Sequence, residues 1–179
     1  MTVAEQTTAP TLVFAWGNPS RGDDALGPRF AEAVQSWQLP GVECLTDFQL
    51  QVEHALDLVG RERVLFVDAT VDATMEVSGV PFTVTPLHPR RDASFTSHAL
   101  SPQAVLQAFA DTQTQPPPPA WLLSLPGAAW GLGEPVSATA EHALHAALTW
   151  ARPWLAGEAA HPGMPAHGVV VPEGPPAGR

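Results

Sequence analysis

Cysteine is almost absent from this 179-residue chain; Cys44 stands alone. A single thiol forms no intrachain disulfide, which excludes a disulfide-built scaffold and fits a reducing compartment. Positive charge is scarce too: 8 basic residues face 18 acidic ones, for a net charge of -10. That balance argues against a surface made for DNA, RNA or an anionic membrane. No apolar run approaches the roughly 20 residues that a membrane helix needs. The opening "MTVAEQTTAP" has neither the basic start nor the apolar centre of a secretory signal. The sequence therefore predicts a cytoplasmic protein with no nucleic acid and no membrane among its partners.

What is present is ordinary globular material. Hydrophobic residues make up 45% of the chain, enough to bury one core over this length. Residues 1–10 read as a disordered leader and 11–155 as a single α/β domain. The Pro-, Gly- and Ala-rich stretch 156–179 reads as a flexible tail, too poor in apolar groups to offset the entropy of ordering. Within the domain, "DTQTQPPPPA" (111–120) holds four consecutive prolines, which suit a stiff surface connection and no helix or central strand.

Apolar patterning predicts alternating elements. "TLVFAW" (11–16) and "RVLFVDA" (63–69) are continuous apolar runs, as in strands buried on both faces. "VECLTDF" (42–48) and "AWLLSL" (120–125) also read as strands, and "PFTVTPL" (81–87) as an edge strand because of its prolines. Helices are predicted from about Pro28, over "VEHALDLV" (52–59), after the cap Ser101, and after the cap Ser137. The order implies a mostly parallel, twisted sheet of about five strands with helices on both faces. In such sheets, sites form where the carboxyl ends of strands meet the loops that follow.

One of those loops is unusual. "AWGNPSRGDDALGP" (15–28) has the glycines of a phosphate cradle but neither G-x-G-x-x-G nor a Gly-Lys-Ser/Thr. Asp23 and Asp24 would repel a phosphate. Either aspartate alone is explained by capping a turn; a pair in a constrained loop suggests a cation instead. Asp68 ends the third strand, and His98 lies after the fourth, so the topology brings Asp24, Asp68 and His98 towards one crevice. Singly, each has a bland reading: Asp68 as a turn cap, His98 as a polar residue near a helix start. Together, two carboxylates and an imidazole suit Zn, Fe, Mn or Ni with positions left open.

Other constellations are weaker. His142 and His145 share a helical face but lack H-E-x-x-H and a third ligand. No G-x-S-x-G elbow is present. Cys44, inside a predicted strand, reads as a small core residue rather than a nucleophile. "HPGMPAH" in the tail is at most a loose metal contact.

The loop and its distant partners resemble the nickel–iron hydrogenase maturation endopeptidases. Gly17, Asn18, Asp23, Asp24 and Gly27 match the family's opening motif, "LFVDA" its second acidic residue (Asp68), and "SHALSPQAVL" its histidine (His98). "QLQVEHALDL" and "LPGAAWGLGEPVS" fit later segments, so the resemblance spans about residues 11–155. It departs from the family pattern at Ala25, where many members have glycine, and after Asp68. The resemblance implies an endopeptidase that removes a C-terminal extension from the large-subunit precursor of a nickel–iron hydrogenase. The nickel would be presented by that precursor rather than permanently bound, with Asp24, Asp68 and His98 as its contacts. Gly17, Asn18, Asp23 and Gly27 would shape the loop, and Asp24 is the expected base for the attacking water. Two alternatives use the same trio: a nickel-dependent chaperone that holds the precursor without cutting it, and a small-molecule metallohydrolase.

Overall fold

β1 (Thr11–Trp16) is apolar on both sides because both sides are covered. Leu12 and Phe14 point into one core, Val13 and Ala15 into the other, and all four are buried. The computed structural model describes residues 8–71, 75, 79–92, 100–159 and 169–170. Ahead of β1 the chain is already held: the Ala9 carbonyl accepts from Arg61, and the Pro10 carbonyl from the Glu62 and Arg63 N–H groups.

β2 (Val42–Asp47), β3 (Arg63–Thr70), β4 (Thr83–Leu87), β5 (Ala120–Pro126) and the two-residue β6 (Val169–Val170) complete a sheet of order β2-β1-β3-β5-β4-β6. The β2-β1-β3-β5 pairs are parallel, β4 runs antiparallel to β5, and β6 pairs parallel with β4. β6 lies alongside Thr83 and Val84 only, so Thr85–Leu87, including Pro86, keep an unpaired outer side among the described residues.

Helices cover both faces. α1 (Leu26–Ser36) and α3 (Ala138–Leu155) share one core with Val13, Leu65, Val67 and Leu123. α3 buries Ala140, Ala143, Ala147 and Ala151 along one stripe, and side chains this small let it lie close to the sheet and α1. On the other face, α2 (Pro102–Thr112) places Val105, Leu106 and Phe109 against Leu12, Phe14 and Phe66. The Ser101 and Ser137 hydroxyls cap α2 and α3, accepting from Ala104 N–H at 3.1 Å and Ala140 N–H at 3.2 Å.

Two expectations need correction. The segment predicted as a helix over 52–59 is a 3-10 run, Val52–Leu58. Its buried residues, Ala55 and Leu58, are three apart, which suits three residues per turn, while Leu56 is left 65% exposed. α1 begins at Leu26, two residues before the expected Pro28, because the 3-10 turn Gly22–Ala25 feeds directly into it. Pro28 sits in the first turn, where an N–H has no intrahelical acceptor to lose.

Candidate active site at the carboxyl edge of the sheet

The chain passes from β1 to one side of the sheet for β2 and to the other side for β3. In an open α/β sheet such a switch between β1 and β3 is where a crevice forms at the carboxyl ends of the strands. Asp24 comes from the loop after β1, and Asp68 from the end of β3.

The β1 loop turns at once. Gly17 has φ +140°, and a Cβ there would stand 2.0 Å from the Asp24 carbonyl oxygen, so only glycine fits. Its N–H donates to the Asp47 carbonyl at 3.1 Å. The Asn18 N–H donates to Asp24 Oδ2 at 3.0 Å, and Asn18 Oδ1 accepts from the Ser20 N–H at 2.9 Å. Gly27 solves a different crowding problem. A Cβ there would lie 2.3 Å from the Trp16 carbonyl oxygen and 3.2 Å from that of Val67. Its bare Cα lets the first turn of α1 sit directly on β1 and β3.

The adjacent aspartates have separate surroundings. Asp23 is wholly buried. Its Oδ2 accepts from the N–H groups of Ala128 (2.7 Å) and Ala129 (3.0 Å) and from the Ser137 hydroxyl (2.8 Å), and its Oδ1 from the Ser137 N–H (2.7 Å). Burial alone would push its carboxyl up, but these four donors outweigh burial and hold it below the ordinary carboxylate range. Asp23 thus ties the β1 loop to the loop after β5 and to the start of α3. Asp24 is half-buried, with Asn18 N–H on its carboxylate.

Asp68 is half-buried and pushed up to about 7, first by burial and then by the charge of Asp24. The Ala69 N–H and the Trp16 indole donate to it and limit the rise. Near neutral pH the charge of Asp24 therefore favours a proton on Asp68. Two carboxyls that repel one another across a crevice are a donor set for a cation, whose arrival would displace that proton.

Among the described residues no group of three or more His, Cys, Asp and Glu is placed to hold a metal ion. His98, the third ligand expected from the sequence, lies outside the described residues, as does "HPGMPAH". The chain on either side of the 93–99 segment is joined nearby, Ser101 N–H donating to Asp92 Oδ2 at 3.0 Å. His142 and His145 are exposed on α3. Cys44 lies at the other end of the sheet with its thiol pushed up to about 11 by burial and the Glu43 charge, far from the thiolate that a nucleophile requires. Sequence reasoning missed Trp16, Asp47 and Ser137. Trp16 was visible only as the end of an apolar run, and Ser137 only as a helix cap.

No family model matches the chain, and no curated protein matches it. Solved structures do. The hydrogenase maturating endopeptidase HybD from E. coli is 24% identical, with 82% of this chain and 93% of that one covered at a TM-score of 0.60. An endopeptidase from Escherichia coli, solved in solution, is 25% identical over 82% and 93% of the two chains (TM-score 0.59). The nickel–iron hydrogenase maturation protease HycI from Thermococcus kodakarensis is 18% identical over 85% and 95% (TM-score 0.60). The chain has the hydrogenase maturation endopeptidase fold. In that fold the mostly parallel sheet carries helices on both faces, and among the described residues no helix is long and apolar enough to cross a membrane.

Proposed function

We propose that this chain is an endopeptidase which removes a C-terminal extension from the nickel-loaded large-subunit precursor of a nickel–iron hydrogenase. The observation that carries the reading is the meeting of Asp24 and Asp68 at the β1/β3 crevice of a fold shared with hydrogenase maturation endopeptidases. The nickel is part of the substrate. Asp24 and Asp68, with His98 as a third contact, read its presence, and the precursor's own groups fill the remaining positions.

The raised proton affinity of Asp68 gives the site a physical reason to distinguish loaded from empty precursor. Without a cation the two carboxyls repel; with one, that repulsion becomes attraction. Cutting then requires a water to attack the scissile carbonyl carbon. Asp24, held by the Asn18 N–H, takes one water proton as the oxygen–carbon bond forms. The C–N bond breaks as the departing nitrogen takes that proton from Asp24 and leaves as an amine, restoring the carboxylate. The compartment in this reading is the cytoplasm.

Incubating the protein with nickel-loaded precursor and weighing the precursor by mass spectrometry tests the reading. The expected result is loss of a C-terminal peptide, abolished by Asp24→Ala, Asp68→Ala or His98→Ala with the fold intact by circular dichroism. Stable capture of an uncut precursor by the wild-type protein overturns the peptidase reading in favour of a chaperone. A tightly bound metal in the purified protein, with no effect on the precursor, points instead to a small-molecule metallohydrolase.

A further inference from the structure

His54, in the 3-10 run after β2, sits against the end of β2 in a position that the proposed chemistry does not use. Its ring is 14% exposed and lies against Phe14, centroid to centroid 4.6 Å. Nδ1 accepts from the Gln51 N–H at 2.9 Å. A backbone N–H only donates, so Nδ1 is unprotonated and a neutral ring carries its hydrogen on Nε2. Nε2 lies 3.2 Å from Asp47 Oδ2 and donates to it. The other Asp47 oxygen accepts from the Phe48 N–H at 2.6 Å. Both ends of the imidazole are thus engaged, and the Asp47 side chain is held on both oxygens.

Asp47 is also the residue whose carbonyl receives the Gly17 N–H. Gly17 packs against the Asp24 backbone, and the next N–H, that of Asn18, donates to the Asp24 carboxylate. A continuous chain of contacts runs from His54 through Asp47, Gly17 and Asn18 to Asp24.

We propose that His54 is a positioning residue: it fixes Asp47 at the end of β2, and through the Asp47 carbonyl it fixes the turn that aims the Asp24 carboxylate into the crevice. The inference rests on the endopeptidase reading for its effect on catalysis, but not for its effect on the turn. Outer partners that orient a metal-contacting group change metal affinity or activity roughly 10- to 100-fold when removed, and because Asp24 in that reading both meets the substrate's nickel and takes the water proton, its misaim acts on capture and chemistry together.

The test uses the full chain with two substitutions. His54→Phe keeps a ring against Phe14 and removes both hydrogen bonds. His54→Gln places an amide nitrogen near the position of Nε2 and keeps the donor to Asp47. Amide hydrogen exchange at Gly17 and Asn18 is read first. It is expected to quicken roughly tenfold or more in His54→Phe and to return to within about threefold of wild type in His54→Gln. Cleavage of nickel-loaded precursor is read second: kcat/KM falls roughly tenfold in His54→Phe, and His54→Gln restores it. Should His54→Phe not fold, His54→Asn, which keeps an acceptor for Gln51 and loses the Asp47 bond, takes its place.

Wild-type exchange at both amides in the folded variant overturns the inference, as does failure of His54→Gln to rescue them. If the wild-type protein cuts no precursor, the endopeptidase reading fails, while the exchange data still decide whether His54 holds the turn.

Discussion

Asp23 and Asp68 are carboxylates of one neighbourhood that titrate in opposite directions. Asp23 is the more deeply buried, yet its carboxyl is held below the ordinary range; Asp68, only half-buried, is pushed up to about 7. The difference lies in their partners. Asp23 has four donors around it, three of them backbone N–H groups that the fold holds in place. Asp68 has two donors and a second carboxylate at its side. Burial sets the penalty for a charge, and fixed dipoles decide whether it is met. Asp23 is a completed structural anion. Asp68 is left incomplete, at the point where a cation-bearing substrate would enter.

Substitution breaks the contrast most sharply at Asp23. Asp23→Ala strands three backbone N–H groups that this buried carboxylate satisfies and should cost about 3 kcal/mol of stability in urea unfolding. The wild-type contribution has a defined sign with pH. A carboxyl whose folded value lies below its unfolded value stabilises above the unfolded value, and that stability is lost as pH falls through the folded one. The steep acid limb of the stability profile should therefore flatten in Asp23→Ala.

Asp68 should behave in reverse. Its folded value of about 7 stands above the ordinary 3.8, so the folded state binds the extra proton between those limits, and stability falls as pH rises across them. Asp68→Asn removes the charge and should raise stability at pH 8 by ~1–2 kcal/mol, with little change at pH 4, while processing is lost. An unchanged pH profile in thermal unfolding would remove the physical basis for calling the site incomplete. The smallest effect is expected at Ser137→Ala, which removes one of the Asp23 donors and the α3 cap together, by about 1 kcal/mol in the same unfolding assay.

The sequence was most informative where the chemistry is local. The strand–loop–helix unit around "GNPSRGDDALG" was readable from its apolar run, its turn residues and the helical spacing behind it. The strand that carries Asp68 was equally plain, although β3 runs two residues past it, to Thr70, and both faces of the sheet followed from continuous apolar strands. What escaped was set by contacts between distant segments. Nothing near Asp23 announces that Ser137, 114 positions away, will take both of its oxygens. The protonation of Asp68 depends on Trp16 and Asp24, which only strand order brings beside it. The 3-10 run was misread as an α-helix because seven residues are too few for periodicity to separate three per turn from 3.6.

The bond between Asp23 and the start of α3 has an electrostatic consequence for that helix. α3 is the longest helix among the described residues, and the unpaired N–H groups of a helix amino end amount to about half a positive charge. Here the Ser137 N–H, just ahead of its first turn, points at the Asp23 carboxylate, while Glu141 within that turn is paired with Arg29 of α1. The positive pole of α3 is thus neutralised from within the protein. The amino end of α3 is committed to holding the β1 loop rather than to a bound anion.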